Sequence, residues 1–177
     1  MELRFIYTLD RRCKWISAIY VALLAAIFAA VALCVEDGYM RAWVFSLPLA
    51  VAALYVLSIP RYISVSAEKL EIHCVVEMTR IEICDIASIR IMEKQDYDRT
   101  FPVLGSYGFF GYYGYYLDLR KWDMIKMYAS RRQGLVEITD ISEQVFVVSC
   151  RDAKTLVEAV QNAKNGIPVV KSNDDKK

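Results

Sequence analysis

Few residues in this chain have the types and spacing that chemistry needs. His73 is the only histidine. It falls on the outward side of a predicted strand, where a surface role is expected rather than proton transfer. The five cysteines, Cys13, Cys34, Cys74, Cys84 and Cys150, are scattered and form no Cys-x-x-Cys pair. Neither a metal site nor a disulfide framework is therefore expected, and reduced thiols suit a cytosolic domain. The acidic pairs Asp96/Asp98 and Asp174/Asp175 lie in a predicted loop and a predicted tail, where solvated charge is the default. No Gly-x-Ser-x-Gly elbow, phosphate loop or dinucleotide fingerprint occurs. Glycines recur at 105, 108, 111 and 114, but no Lys-Ser/Thr follows to complete a phosphate cradle. The expectation is a chain that is not an enzyme and uses no cofactor.

The same glycines mark the most distinctive stretch, Phe101 to Tyr116. From Gly108 it reads Gly-Phe-Phe, Gly-Tyr-Tyr, Gly-Tyr-Tyr. Glycine at that density is too costly for a regular helix. Three readings stand together: a twisted hairpin whose aromatics cover its own barrel, a surface at the membrane interface, or a surface for a partner or ligand. The candidate surface residues are Phe109, Phe110, Tyr112, Tyr113, Tyr115 and Tyr116. Arg90, Lys94, Arg99, Arg120, Lys121, Arg131 and Arg132 could meet anionic headgroups at about 1 kcal/mol each if they face a bilayer. Dispersed, solvated charge is the simpler reading. A formal net charge of +1 leaves no basic footprint for nucleic acid, and base stacking on the rings would lack a basic groove.

The elements that would position this segment begin with two uncharged apolar runs, Trp15 to Val35 and Ala42 to Ile59, separated by Glu36-Asp37-Gly38-Tyr39-Met40-Arg41. As helices they would be roughly 27–31 Å long, which fits a hydrocarbon core of about 30 Å. The expectation is a transmembrane helical hairpin. The first run is longer than a signal-peptide core, and Leu33 before Cys34 makes a poor lipoprotein cleavage site. Small residues suggest a packing seam of Ala18, Ala22, Ala26 and Ala30 against Ser46, Ala50 and Ala53. Pro48 is expected to kink the second helix. No ionisable side chain lies inside either run, which argues against transport. Arg4, Arg11, Arg12 and Lys14 precede the pair and Arg61 and Lys69 follow it, against Arg41 alone between them. By the positive-inside rule both termini face the cytoplasm of an inner membrane. Trp15, Tyr39, Trp43 and Tyr62 stand where interfacial aromatics are expected.

The flanking segments are read by period. Leu3, Phe5, Tyr7 and Leu9 alternate with polar neighbours, Ile6 excepted, so residues 1–14 form either an extended lead-in or an extra edge strand. After residue 60, alternation marks strands at Tyr62–Ser66, Leu70–Val76, Thr79–Cys84, Ile86–Met92, Trp122–Ala129, Leu135–Thr139 and Val145–Ser149. Strands this short and frequent predict an antiparallel barrel or sandwich of about seven strands. Leu156, Val157, Val160 and Ala163 make one apolar stripe on a closing helix. A capping box at Ser149 and Asp152 would start it, and Gly166 and Pro168 would end it. The fold class is α+β. The divisions are a cytosolic segment 1–14, an anchor 15–60, a domain 61–166 and a disordered tail 167–177.

Ile81-Glu82-Ile83-Cys84-Asp85-Ile86-Ala87-Ser88-Ile89, the run Gly108-Phe109-Phe110-Gly111-Tyr112-Tyr113-Gly114, and the capped helix at Ser149-Cys150-Arg151-Asp152 carry a resemblance. Over roughly Tyr62 to Lys164 the chain resembles the short membrane-anchored type of bacterial PH-like (pleckstrin-homology-like) domain protein. The resemblance implies a strongly bent sheet with one open end plugged by the helix, and it implies little about activity. Eukaryotic PH domains bind phosphoinositides through a basic cluster in their first strand-to-strand loop. That turn is Ser66-Ala67-Glu68-Lys69 here, so no phosphoinositide site is carried over. The expected function is a membrane-anchored binding or scaffold module, engaging a protein partner, a second copy or the bilayer. A lipid or small-ligand sensor using the barrel mouth or the domain–membrane crevice is the alternative.

Overall fold

The protein was analysed as a computed structural model that describes residues 3–34, 37–57, 59–75 and 78–167. The expected tail beyond Ile167 lies outside the described residues. Strand β1 (Leu3–Ile6) leads into helix α1 (Arg11–Cys34), and helix α2 (Gly38–Leu57) follows. Asp10 opens α1: its carboxylate accepts the Arg11 N–H at 2.9 Å and its carbonyl accepts the Lys14 N–H at 3.1 Å. Asp37 does the same for α2, accepting the Tyr39 N–H at 3.0 Å. Among the described residues, one helix, α1, is long and apolar enough to cross a membrane. Of the expected pair, α1 has the length and apolarity of a span, while α2 is a 20-residue helix with Pro48 inside it.

The two helices meet, but not along the expected seam. Phe28 and Phe45 stack with ring centroids 4.9 Å apart. The half-covered positions are Leu24, Phe28 and Val31 on α1 and Val44, Phe45, Pro48 and Ala52 on α2. Ala18, Ala22, Ala26, Ala30, Ser46, Ala50 and Ala53 are all exposed. At about 100° per residue the alanine stripe of α1 lies on the side away from Phe28. Phe28 and Phe45 meet in the contact, and Ala52 is the small residue of α2 that is partly covered.

Among the described residues nine strands follow the helices: β2 (Pro60–Val65), β3 (Lys69–Cys74), β4 (Met78–Glu82), β5 (Ile86–Ile91), β6 (Thr100–Tyr107), β7 (Tyr112–Asp118), β8 (Asp123–Ala129), β9 (Leu135–Asp140) and β10 (Val145–Ser149). A short helix α3 (Lys94–Tyr97) precedes β6, and α4 (Ala153–Lys164) closes the domain. All seven strand signals fall on strands, and the Gly-aromatic segment adds the β6–β7 hairpin. The strands form two sheets, β1-β2-β3-β4 and β5-β9-β10-β8-β7-β6, so the domain is sandwich-like and not a closed barrel. β1 pairs antiparallel with β2 (Leu3 opposite Val65), which settles the first segment as an edge strand. The sheet is not wholly antiparallel: β8 and β10 run parallel, Val145 opposite Ile125 and Val147 opposite Met127. The connection 130–134 carries the chain past the end of β10, so β9 returns on its far side.

Alternation along the six-stranded sheet feeds two cores. Val136, Ile138, Phe146 and Val148 face the four-stranded sheet and pack with Ile63, Val65, Leu70, Ile72 and Ile81. Helix α4 seals this core with Leu156, Ala159, Val160 and Ala163. The other face carries Leu135, Val145, Val147, Ile125, Met127 and Ala129, covered by Tyr112, Tyr116, Met92, Tyr97 from α3 and Cys13 from α1. The capping box does not form. Ser149 is the last residue of β10, 1% exposed, and its hydroxyl accepts the Ser130 N–H at 2.8 Å, while Asp152 precedes α4 without a side-chain cap. Gly166, at φ 71°, ends α4 as expected: its N–H reaches the Ala163 carbonyl at 3.1 Å and the Ile167 N–H reaches that of Asn162 at 2.9 Å.

Candidate functional site

The β6–β7 hairpin is built by its glycines. Gly105 and Gly114 face each other across the two strands. A Cβ on Gly105 would lie 2.1 Å from the Tyr113 carbonyl oxygen, and one on Gly114 would lie 2.3 Å from that of Leu104. Only glycine allows so close an approach, at φ values of 143° and 113°. The close pairing holds strand period two through the tyrosine run. Tyr112 and Tyr116 therefore share one face and are 1% and 0% exposed, Tyr113 turns to the opposite face and is buried, and Tyr115 is exposed. The expected aromatic surface is corrected accordingly: Tyr112, Tyr113 and Tyr116 are core residues. Phe109 and Phe110, at the hairpin tip, are half-buried.

The tip docks on the first turns of α1. Phe110 sits at φ 53°, in the left-handed region that a bulky residue adopts only under constraint. Its N–H donates to the Ser17 hydroxyl at 2.8 Å, and Ser17 in turn donates to the Cys13 carbonyl at 2.7 Å. The Phe109 ring meets Tyr20 edge-on with centroids 5.7 Å apart. A Cβ on Gly108 would touch Ile16 at 3.0 Å. Within the tip, the Ser106 hydroxyl donates to the Phe109 carbonyl at 2.5 Å and the Gly108 N–H donates to the Gly111 carbonyl at 2.8 Å. Ser17 and Tyr20 lie roughly 3–8 Å along α1 from Trp15, where the apolar run begins. The aromatic tip is therefore level with the first apolar turns of the helix.

Behind the tip, Arg132 is boxed by tyrosines. Its guanidinium carbon lies 5.0, 5.1 and 5.2 Å from the ring centroids of Tyr97, Tyr107 and Tyr112. It donates to the Tyr107 hydroxyl at 2.6 Å. Tyr112 meets Tyr97 and Tyr107 edge-on at 6.0 and 5.6 Å, and the Tyr116 hydroxyl donates to the Ser106 carbonyl. Burial first, then the neighbouring Cys13, pushes the Tyr112 phenol up to about 12. Burial also raises Tyr97 and Tyr116. Tyr97, Tyr112 and Tyr116 hold their protons at neutral pH, and the rings of Tyr97, Tyr107 and Tyr112 close around the Arg132 cation.

Three of the other cations, Arg90, Arg120 and Lys121, are engaged with carboxylates of the domain. Arg90 bridges Glu137 at 2.6 Å and Asp96 at 3.1 Å, and Arg120 pairs with Asp96 and, at 3.5 Å, with Asp118. Lys121 approaches Glu137 at 3.9 Å. The three carboxylates are buried, and burial would raise Asp96 were it not outweighed by Arg120 and Arg90, which hold it below its usual value. Arg131 donates to the Thr8 carbonyl at 3.4 Å, Arg99 is exposed, and the Lys94 side chain lies outside the described residues. His73 does lie on the outer face of the four-stranded sheet, stacked on Tyr62 at 4.3 Å and 3.1 Å from Glu71. Tyr62, expected as an interfacial aromatic, forms that stack in β2. No disulfide joins the five cysteines. Among the described residues, no three His, Cys, Asp or Glu side chains come together as metal ligands.

Sequence reading missed the Ser17 contact, the Arg132 box and the Arg90–Glu137–Asp96–Arg120 network. Only the first had a readable signal: Cys13, Ser17 and Tyr20 repeat at i, i+4, i+7 on one side of an otherwise aliphatic helix.

Two stacked sheets closed by a C-terminal helix define a PH-like binding domain, here with an N-terminal helical arm. The chain belongs to the bacterial PH domain family, whose sequence model matches residues 61–164. No curated protein and no solved structure matches it.

Proposed function

We propose that this chain is a membrane-anchored PH-like binding module on the cytosolic face of a bacterial inner membrane. Both α1 and α2 cross the bilayer, and both termini face the cytoplasm. The observation that carries the reading is the contact of the aromatic tip with Ser17 and Tyr20 of α1. It fixes the domain rigidly against the helix end, so an anchored domain is held at one orientation to the bilayer with Phe109 and Phe110 at interfacial depth. The paired Arg–carboxylate network and the boxed Arg132 leave protein contacts, rather than anionic headgroup capture, as the domain's way of engaging a partner. Two exposed thiols test the anchor. Cys34 is the last residue of α1, and Cys84 lies in the domain that follows α2. In intact cells, single-cysteine chains are expected to react with an impermeant maleimide at Cys34 and not at Cys84. Labelling of Cys84 from outside, or equal labelling of both, overturns the double crossing.

A lipid or small-ligand sensor is the second reading. The sheets do not close, so its support comes from a cleft of about 290 Å³ between β5 and α4, lined by Ile86, Ile89, Val160 and Lys164. Lys164 donates to the Ile86 carbonyl at 2.6 Å. Native mass spectrometry from nanodiscs is expected to retain a bound species if the cleft is used, and repeated empty spectra count against it.

A further inference from the structure

The six-stranded sheet is wider than the four-stranded sheet that covers it. Of the β7 side chains on the face towards that sheet, Tyr113, opposite Tyr128, is buried, while Tyr115 is exposed. On that face the register lines up two cross-strand rows: Phe101, Leu117 and Met124, then Leu104, Tyr115 and Lys126. Phe101 is 60% exposed and Leu104 69%. The adjoining β7–β8 turn adds Leu119 and Trp122, the latter 76% exposed at φ 56°. Together with Val103, seven of these large apolar side chains are 42–76% exposed, a surface on the scale of the about 800 Å² that each partner contributes to a standard protein interface. Monomeric proteins seldom leave a contiguous apolar patch of this size open to water.

We propose that this face is a homotypic interface, covered by a second copy of the same chain related by a two-fold axis. The partner packs face to face and does not extend the sheet. Edge strand β6 carries Pro102, a bulge at Val103 and Gly105, the features that block strand addition. Charge favours a second copy over a partner of one sign. Lys126 is the cation within the patch and lies over the Tyr115 and Phe146 rings, and the end of the strands beside Phe101 and Met124 carries exposed Asp98, Arg99, Lys121 and Asp123, two of each sign. A margin of mixed sign can pair with its own copy under two-fold rotation, which a margin of one sign cannot. The proposal rests on the anchored-module reading in one respect: a shared membrane presents all copies in the same orientation and raises their effective concentration.

The test is light scattering on the full chain purified in detergent, at tens of micromolar. Wild type is expected at twice the chain mass, and Phe101→Asp/Leu104→Asp at one chain mass with an unchanged melting curve. Met124→Lys, on a different strand, is expected to do the same and guards against a folding defect at β6. Ala22→Leu/Ala26→Leu, on the exposed stripe of α1, is expected to remain dimeric. A monomeric wild type, a β6 variant that stays dimeric, or loss of the dimer only in the helix variant overturns the proposal. A monomeric wild type that still resists carbonate extraction from membranes removes self-association and leaves the anchored module standing. A chain released by carbonate removes the anchored module itself.

Discussion

The two faces of the β6–β7–β8 sheet are made from the same strands and the same residue types, yet they meet opposite fates. One face places Tyr112, Tyr116, Ile125 and Met127 in a core closed by α3, Arg132 and the start of α1. The other leaves Phe101, Leu104, Tyr115 and Met124 open. Composition does not separate the two sets. What separates them is which other elements reach each face: the N-terminal arm packs on the first, and the four-stranded sheet stops short of the second. Aromatic density on a strand therefore reports that a surface will be covered, without saying whether the cover comes from the same chain.

The largest expected effect breaks the covered face. Tyr116→Ala removes a fully buried ring and its hydroxyl bond to Ser106 and should cost about 3–5 kcal/mol, read by denaturant unfolding of the full chain. Alkali should open the same face. The Tyr112 phenol is raised in the folded protein to about 12 from an ordinary value of 10.0. Its contribution is therefore complete below pH 10 and lost as pH rises towards 12. Phenolate absorbance and loss of tertiary circular dichroism should rise together in that window, whereas a separate, earlier ionisation of three tyrosines would contradict the buried stack. Arg132→Met keeps the side-chain volume and removes the cation facing three rings. It should destabilise by about 1 kcal/mol and move the alkaline transition. The smallest effect belongs to the open face: Leu104→Ser, at 69% exposure, should change unfolding free energy by less than about 0.5 kcal/mol in dilute protein.

Much of the fold was legible because period two survives in short segments. Leu70 and Ile72, or Val136 and Ile138, announce their strands and inner faces without help from the rest of the chain. The apolar stripe of α4 and its glycine stop were equally local. What escaped depends on partners distant in sequence. Arg90 and Glu137 lie on neighbouring strands that no local pattern pairs, and the parallel β8–β10 pairing follows from a crossover. The Gly-aromatic segment was legible as a hairpin, but the assignment of its tyrosines to a surface failed because glycine spacing drew attention away from the strand alternation of Tyr112 and Tyr116. The alanine seam failed for a related reason. Small residues permit close helix packing, but the contact that α1 makes with α2 is filled by Phe28 and Phe45.

The central claim is that the aromatic tip is locked onto α1. Hydrogen exchange of the Phe110 amide, in the full chain reconstituted in nanodiscs, tests it most directly. The amide is bonded to Ser17, so slow exchange is predicted in wild type. Exchange should be fast in Ser17→Ala, with the β-sheet amides unchanged. A Phe110 amide that exchanges freely in wild type, or that is equally protected without the Ser17 hydroxyl, would contradict it.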